Sequence, residues 1–461
     1  MDEVTQTPGS DGAPFSHIFP IGYSCSSDCG YCRNSPSGQS RKRYSYYAVA
    51  TSLTPDFYQH LVDRCWRRSG TLLYRPNQKN SCCPHYTLRL DSAKFRPTKD
   101  QRQAINRFNK YVLGDAYSKE LARMNPRSRE EARKRDNEFD LVARIAESEL
   151  RSLRTPPTPA HEFVVTLEPD TFTEEKYDVF ENYQRLVHRE PPEKISRVGF
   201  KRFLCKSPLT RGSLAGPGGK ERQLGSFHQC YRLDGKLVAV GVLDLLPDCV
   251  SAVYFFYHES IRNHNPGKLG ALREIALALD AGYRWWYSGF YIHSCPKMKY
   301  KVDYSPQYVL DPETLEWDLL DKEALAIFDR QAYVSLSRER RRGGGQSETM
   351  DGTAESAGEG PESKDDDAAQ EGGDEDSFLF HSNMPGILSL DEMEQVDMDN
   401  LLLRSDYKQE HFLASQLGIW ENESIADYGT LKARIAELVA AIGPDLMNDY
   451  CVDFRRRENS L

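Results

Sequence analysis

Gly225-Ser-Phe-His-Gln-Cys-Tyr-Arg232, the pair Asp234-Gly235, and Lys236-Leu-Val-Ala-Val-Gly-Val-Leu-Asp-Leu-Leu246 read as one β-hairpin. Two strand-forming runs flank a dipeptide that takes the positive φ angles of a tight hairpin turn. Cys249 to Tyr257 continues as a third strand with aromatic residues on both faces. After the Pro266-Gly267-Lys268 turn, Leu269 to Leu279 repeats apolar residues at helical spacing, and Tyr283 to Ser288 is a further aromatic strand. Strands, then a helix, then a strand predict an α+β domain around a central mixed sheet.

Outward from this stretch, His161-Glu-Phe-Val-Val-Thr-Leu167 is an alternating strand that opens the domain, expected over residues 161–330. A helix is predicted from Thr173 to Val187, and Gly212 to Gly219 reads as a Gly/Pro loop. Upstream, residues 1–16 read as a disordered leader and 17–114 as a cysteine-rich domain. There Thr54-Pro55 caps a helix expected to run from Asp56 to Arg68. Thr71 to Tyr74 and Tyr86 to Leu90 are strand-like, and Thr98 caps a helix ending at Gly114. Residues 115–160 are charged and helix-favouring, which predicts a helical linker. Downstream, residues 343–382 are an acidic linker with the composition of disorder. Residues 383–461 form an extension with one helix, Tyr428 to Ile442, stopped by Gly443-Pro444.

The 461 residues carry a net charge of −9, but the charge is split. Residues 343–461 hold 27 acidic and 8 basic side chains, leaving 52 basic and 42 acidic on the rest. A basic body is the electrostatic footprint of a nucleic-acid partner. No apolar run approaches a membrane span, and the N-terminus has neither a secretory nor a transit pattern. Eleven cysteines, an odd number with six of them scattered, argue against a disulfide framework and for a reducing compartment.

Four thiols are clustered: Cys29-Gly-Tyr-Cys32 and, about fifty residues on, Cys82-Cys83-Pro-His85. A CxxC pair brings two sulfurs to one metal, and a second pair completes a four-thiolate set. Adjacent cysteines strain a single-ion tetrahedron more than a larger cluster, so an iron–sulfur cluster is expected, with zinc as the alternative. Cys25 lies close by, and His85 reads as a loop histidine.

Downstream, Ser226 and His228 share one face of their strand, and Asp244 interrupts an apolar strand. A buried carboxylate there is costly unless paired, so it is either structural or functional. Gly289-Phe-Tyr-Ile-His-Ser-Cys-Pro-Lys-Met-Lys-Tyr-Lys301 packs one histidine, three lysines and two tyrosines into thirteen residues. The plainer readings are a core histidine, a hydrogen-bonded core aspartate and a solvated lysine edge.

These words, with Trp66-Arg-Arg-Ser-Gly70, Arg202-Phe-Leu-Cys205, Ala239-Val-Gly-Val242 and Ala271-Leu-Arg-Glu-Ile275, resemble the eukaryotic arginyl-tRNA–protein transferases in collinear order over residues 17–330. The resemblance implies transfer of arginine from arginyl-tRNA to the α-amine of proteins beginning with Asp, Glu or oxidised Cys, marking them for ubiquitin-dependent degradation. It implies a GNAT-type acyltransferase fold for the second domain and a metal or iron–sulfur site at Cys29, Cys32, Cys82 and Cys83. The catalytic candidates are His228 or Asp244 as the base and Tyr291 or N–H groups near Gly289 for the oxyanion. The substrate-binding candidates are Arg202, Ser226, Gln229, Arg273, Glu274, His293, Lys297 and Lys299. A monomeric protein of cytoplasm and nucleus, with no membrane partner, is expected. The competing readings are an acetyl-CoA-dependent N-acetyltransferase and a non-catalytic metal-binding adaptor.

Overall fold

Two β-sheets, each assembled from distant parts of the chain, carry the architecture of the computed structural model. It describes residues 15–344 and 377–455, apart from 28, 33–41, 127, 217, 218 and 407. Most of the expected leader and of the acidic linker therefore lies outside the described residues.

In chain order the first nine strands are β1 (Ser16–Ser26), β2 (Arg43–Ser52), β3 (Arg67–Ser69), β4 (Leu72–Pro76), β5 (Tyr86–Asp91), β6 (Phe163–Pro169), β7 (Gly212–Ala215), β8 (Glu221–Leu233) and β9 (Lys236–Leu245). They are followed by β10 (Cys249–Tyr257), β11 (Trp285–Tyr291), β12 (Gln307–Leu310), β13 (Trp317–Leu319), β14 (Leu402–Ser405), β15 (Lys408–Leu413) and β16 (Tyr450–Asp453). The first sheet has the order β15-β14-β16-β1-β2-β4-β3. The second runs β13-β12-β5-β11-β10-β9-β8-β6, with β7 paired to β8.

The expected hairpin is present, with Asp234 and Gly235 at φ of 50° and 77° joining β8 to β9. The helix Pro266–Ala281 links β10 to β11, which pair in parallel. Its apolar face packs on the second sheet with Leu272 and Ile275 fully buried. The mixed α+β class read from the hairpin outward is the class observed.

Domain limits drawn on composition are crossed by the sheets. β5, expected inside the cysteine-rich domain, instead lies between β12 and β11 of the second sheet. Its residues are buried on both faces, so it needs neighbours on both edges, and β11 and β12 supply them. The segment expected as an extension contributes β14, β15 and β16 to the first sheet, where β16 lies parallel to β1. Its helix, Leu431–Ile442, begins at the Thr430 cap and packs on β1. The Trp66 indole and the buried Arg75 guanidinium both donate to Ala441 O, at 3.0 and 2.6 Å. Leu379, placed by composition in the acidic linker, is fully buried in the same core. Gly212–Ala215 is a strand rather than a loop. The helix expected from Asp56 to Arg68 stops at Val62, so that Arg67 and Arg68 belong to β3.

The charged stretch after residue 114 is more than a spacer. The helix Lys99–Met124 breaks its dihedrals at Gly114, where φ is 77°. Leu141–Ile145 then packs against the helix Pro266–Ala281.

Candidate functional site

The second sheet opens in the middle. β10 and β11 pair only over Cys249–Ser251 and Trp285–Tyr287, and each then departs from regular register. The β10–β9 ladder shifts between Ala252 and Tyr254, and the β11–β5 ladder shifts between Tyr287 and Phe290. In the second shift Ser288 and Gly289 together face one residue of β5, a bulge that bends the strand. Gly289 makes this possible with φ of 77°. Ala252–Phe255 are half-buried along the opening.

Lys301 is anchored at this bulge. Its ammonium donates to Ser288 O at 2.6 Å and Phe290 O at 2.7 Å, carbonyls at the bulge. Burial, reinforced by the nearby Arg67 cation, pushes its pKa down to about 7. Behind the sheet, Glu274 accepts from the Trp286 indole at 2.8 Å, and burial raises its pKa to about 7. Several polar atoms here have no partner among the described residues: Ser288 Oγ, His85 Nδ1, and Arg67 Nε and Nη2. The Arg67 guanidinium lies 4.9 Å from the Phe290 ring centroid, and the His85 ring 5.3 Å from it.

At the end of β11, Tyr291 and His293 Nδ1 are 2.7 Å apart, and His293 Nε2 lies 2.8 Å from Asp329. The chain of contacts leads from a buried phenol to an exposed carboxylate. On the β10 side, the Tyr254 hydroxyl accepts from Gln184 at 2.9 Å and meets His188 at 3.2 Å. Tyr183 stacks edge-on to His188 and Tyr257. Burial and then the Lys297 cation hold the His188 pKa below its ordinary value. Lys297 and Lys299 are exposed, as is Arg202.

The other sequence candidates occupy saturated positions. Asp244 is fully buried and held by Arg68 through Nε at 2.8 Å and Nη2 at 2.5 Å, and Arg68 also donates to Ser226 at 3.0 Å. His228 is fully buried and its Nε2 lies 2.9 Å from Leu204 O. Burial and the Lys176 cation lower its pKa to about 4, so the ring is neutral and Nε2–H donates to that carbonyl. Gln229 accepts from the Tyr231 hydroxyl. Arg273 is buried, paired with Glu149, and donates to Ile145 O at 2.6 Å.

The four thiols converge as their spacing predicts. The sulfurs of Cys29, Cys32, Cys82 and Cys83 lie within 4.8 Å of one another, with Cys32 and Cys82 3.6 Å apart. Against the burial that would raise it, backbone N–H groups of Tyr31 and Cys32 hold the Cys29 pKa below its ordinary value. Burial pushes Cys82 up to about 12. A bound cation favours thiolates, so four convergent sulfurs fit a metal ion. Cys25 is exposed and outside the set. His85 is buried between Tyr31 and Phe290. The thiols pack on Ile292 and Cys295, a few residues beyond the bulge, so the four-thiol site and the opening share one segment.

Arg67, Arg68, Ser288 and Lys301 are the site residues that the sequence candidates omit. Lys301 ended the lysine-rich word without being singled out. The Arg67-Arg68 pair stood inside a predicted helix, where nothing pointed it at the second sheet.

Comparison with known proteins shows what these regions are similar to. Residues 27–103 match the N-terminal region of the arginine-tRNA-protein transferases and residues 175–311 match the C-terminal region. Arginyl-tRNA–protein transferase 1 of Saccharomyces cerevisiae is 31% identical over 55% of this chain and 48% of its own length. The chain thus spans about half of that relative. The corresponding Dictyostelium discoideum protein is 25% identical over 66% of this chain and 84% of its own. A Pseudomonas fluorescens aspartate/glutamate leucyltransferase is 29% identical over 54% of this chain and 77% of its own. The matched regions contain the four thiols, the hairpin and Lys301 in chain order, and over these residues the chain is similar to the arginyl-tRNA–protein transferases.

Proposed function

We propose that this chain transfers arginine from arginyl-tRNA to the α-amine of proteins that begin with Asp, Glu or oxidised Cys, at the opening between β10 and β11. The observation that carries the reading is that opening, with Lys301 bound to the carbonyls of the bulge and the four-thiol site on the same segment. Two parallel strands that part beside a bulge, joined by a helix, also support a GNAT-type acyltransferase arrangement.

The donor is an activated ester, so alignment, deprotonation and charge stabilisation are what the protein supplies. The attacking α-amine, with a pKa of about 7.7–8.0, needs only a modest base. Lys301 with a pKa of about 7 fits that task, because two of its hydrogens are committed to carbonyls and the neutral amine keeps a lone pair. The amine nitrogen attacks the arginyl carbonyl carbon, its proton passes to Lys301, and the tRNA 3′-oxygen leaves with a proton. Backbone N–H groups of the Ser288-Gly289 bulge and the Tyr291 hydroxyl are the candidate oxyanion donors. Tyr183, Tyr254 and His188, with Lys297 beside them, suit the stacked bases and phosphates of a tRNA 3′ end. Arg202, Lys297 and Lys299 are the exposed cations available to an acidic acceptor residue. His228 and Asp244 are assigned a positioning role: His228 ties the helix Arg197–Leu204 to β8, and Asp244 ties β9 to β3 through Arg68.

For the thiol site we favour one tetrahedral ion of the zinc class. Sulfurs at about 2.3 Å from a tetrahedral zinc lie about 3.8 Å apart, close to the Cys32–Cys82 separation of 3.6 Å. An iron–sulfur cluster spreads its thiolates over several irons and holds them further apart. Metal analysis and optical spectra of anaerobically prepared protein test this: colourless protein with one zinc per chain is expected, and iron with a visible chromophore overturns it. Marking acceptors for degradation, in cytoplasm and nucleus and as a monomer, remains part of the proposed reading.

The deciding assay supplies arginyl-tRNA with labelled arginine to peptides beginning with Asp and with Ala. RNase-sensitive labelling of the Asp peptide is expected. Equal labelling of the Ala peptide removes the carboxylate pocket, and acetyl transfer from acetyl-CoA without arginine transfer supports the acetyltransferase instead.

A further inference from the structure

A second group of metal-ligand side chains converges on the first sheet, at the end of β1 away from the four cysteines. His17 stands on β1, His411 on β15 and Cys451 on β16. The parallel β1–β16 ladder sets His17 and Cys451 as lateral partners, so both side chains leave the sheet on one face. His411 reaches the same face: the two Nε2 atoms are 3.2 Å apart, and the rings are inclined by 26°. Cys451 offers its sulfur within 4.8 Å of both. That sulfur is buried, and its recorded contact is a long 3.8 Å to Val452 O.

Two imidazole nitrogens on one tetrahedral ion, each at about 2.0–2.1 Å, stand about 3.3–3.4 Å apart. The observed separation is within a few tenths of an ångström of this. A shared proton between the rings uses the two histidines alone; an ion would also use the sulfur that the ladder places beside them. From His17 to the end of β1 at Ser26 is about 30 Å of extended strand at roughly 3.3 Å per residue, so the group is distinct from the Cys29 site.

We propose that His17, His411 and Cys451 bind one divalent ion of the zinc class. Two imidazoles and a thiolate are borderline-soft ligands suited to that class, and the fourth position is left to water. The ion would staple the strands nearest the C-terminus to the first strand, locking the sheet that the two ends of the chain build together.

The test uses the full chain loaded with cobalt(II), comparing the unmodified protein with His411→Ala and Cys451→Ser. His411 is exposed, so its loss leaves the fold in place. The unmodified protein is expected to hold one cobalt equivalent more than His411→Ala, whatever the four-cysteine site takes up. The difference spectrum should show tetrahedral visible bands, with a near-ultraviolet thiolate band that Cys451→Ser removes. Equal cobalt content in the unmodified protein and His411→Ala overturns the proposal and leaves a proton-sharing histidine pair. A difference spectrum with no thiolate band removes Cys451 from the site and overturns the three-ligand form.

Discussion

Two buried carboxylates, Asp244 in the second sheet and Glu274 on the helix Pro266–Ala281 behind it, live in opposite circumstances. Asp244 is gripped by the Nε and Nη2 groups of Arg68, which also reaches Ser226. Glu274 has one indole N–H, and burial lifts its pKa to about 7. The same contrast separates their surroundings. Around Asp244 charges are matched, whereas around Lys301 lie an ammonium with a pKa near 7, an unpartnered Ser288 hydroxyl and spare Arg67 donors. Burial alone is therefore a poor guide to chemistry; the informative quantity is hydrogen-bonding capacity left unused.

Breaking the matched region should produce the largest effect. Arg68→Ala strands a buried carboxylate and should cost about 3–5 kcal/mol of stability, read from denaturant unfolding. Arg68→Met with Asp244→Leu should recover most of it. If Arg68→Ala unfolds like the parent, the pair is not holding β3 to β9. In the unmatched region, Lys301→Met should lower arginine transfer by about 100-fold, a general-base contribution, with far less change in unfolding than Arg68→Ala. Lys301→Arg should not rescue, because a guanidinium stays charged. Transfer should fall as the pH drops through about 7, as Lys301 becomes protonated. Near-normal rates in Lys301→Met would return the base to another group.

The pH dependence of stability offers a smaller separation. His228 has a folded pKa of about 4 against an ordinary value of about 6.5, so the unfolded chain binds the proton more readily. Its contribution is complete above pH 6.5 and is lost as pH falls toward 4. Between pH 7 and 5 the loss should be about 2 kcal/mol. His85 has the same folded value and adds a loss of the same sign. His228→Gln should flatten the curve by one histidine's share; an unchanged slope would mean that the ring is not held neutral. Smallest of all, Asp329→Asn should reduce kcat a few-fold at most, because Asp329 acts only through His293 and Tyr291. A hundred-fold loss would place this relay in the chemical step.

The hairpin, the α+β class and the four-thiol set were legible because each is written locally: a turn dipeptide, alternating strands, a CxxC spacing. β1 and β2 were not, since their Gly, Pro, Ser and Tyr content blurs the period-2 signal. The strands near the C-terminus are four to six residues long and gain stability only within the assembled sheet, where β16 lies beside β1 and β14 beside β16. The base candidates show the same limit. Sequence could see that Asp244 and His228 were polar within strands, but not that Arg68 and Leu204 O had already claimed them.

The sequence by itself determined the family words, the four-thiol set and the hairpin that organises the second sheet. Only the tertiary structure decided which polar groups are spent and which are free, because hydrogen bonds and ion pairs close across elements far apart in the chain. It alone carried Arg67 from the first sheet to the face of Phe290, put Lys301 under the bulge, and brought Cys451 to His17. Those three meetings join residues 223, 13 and 434 positions apart, and no local pattern encodes distances of that kind.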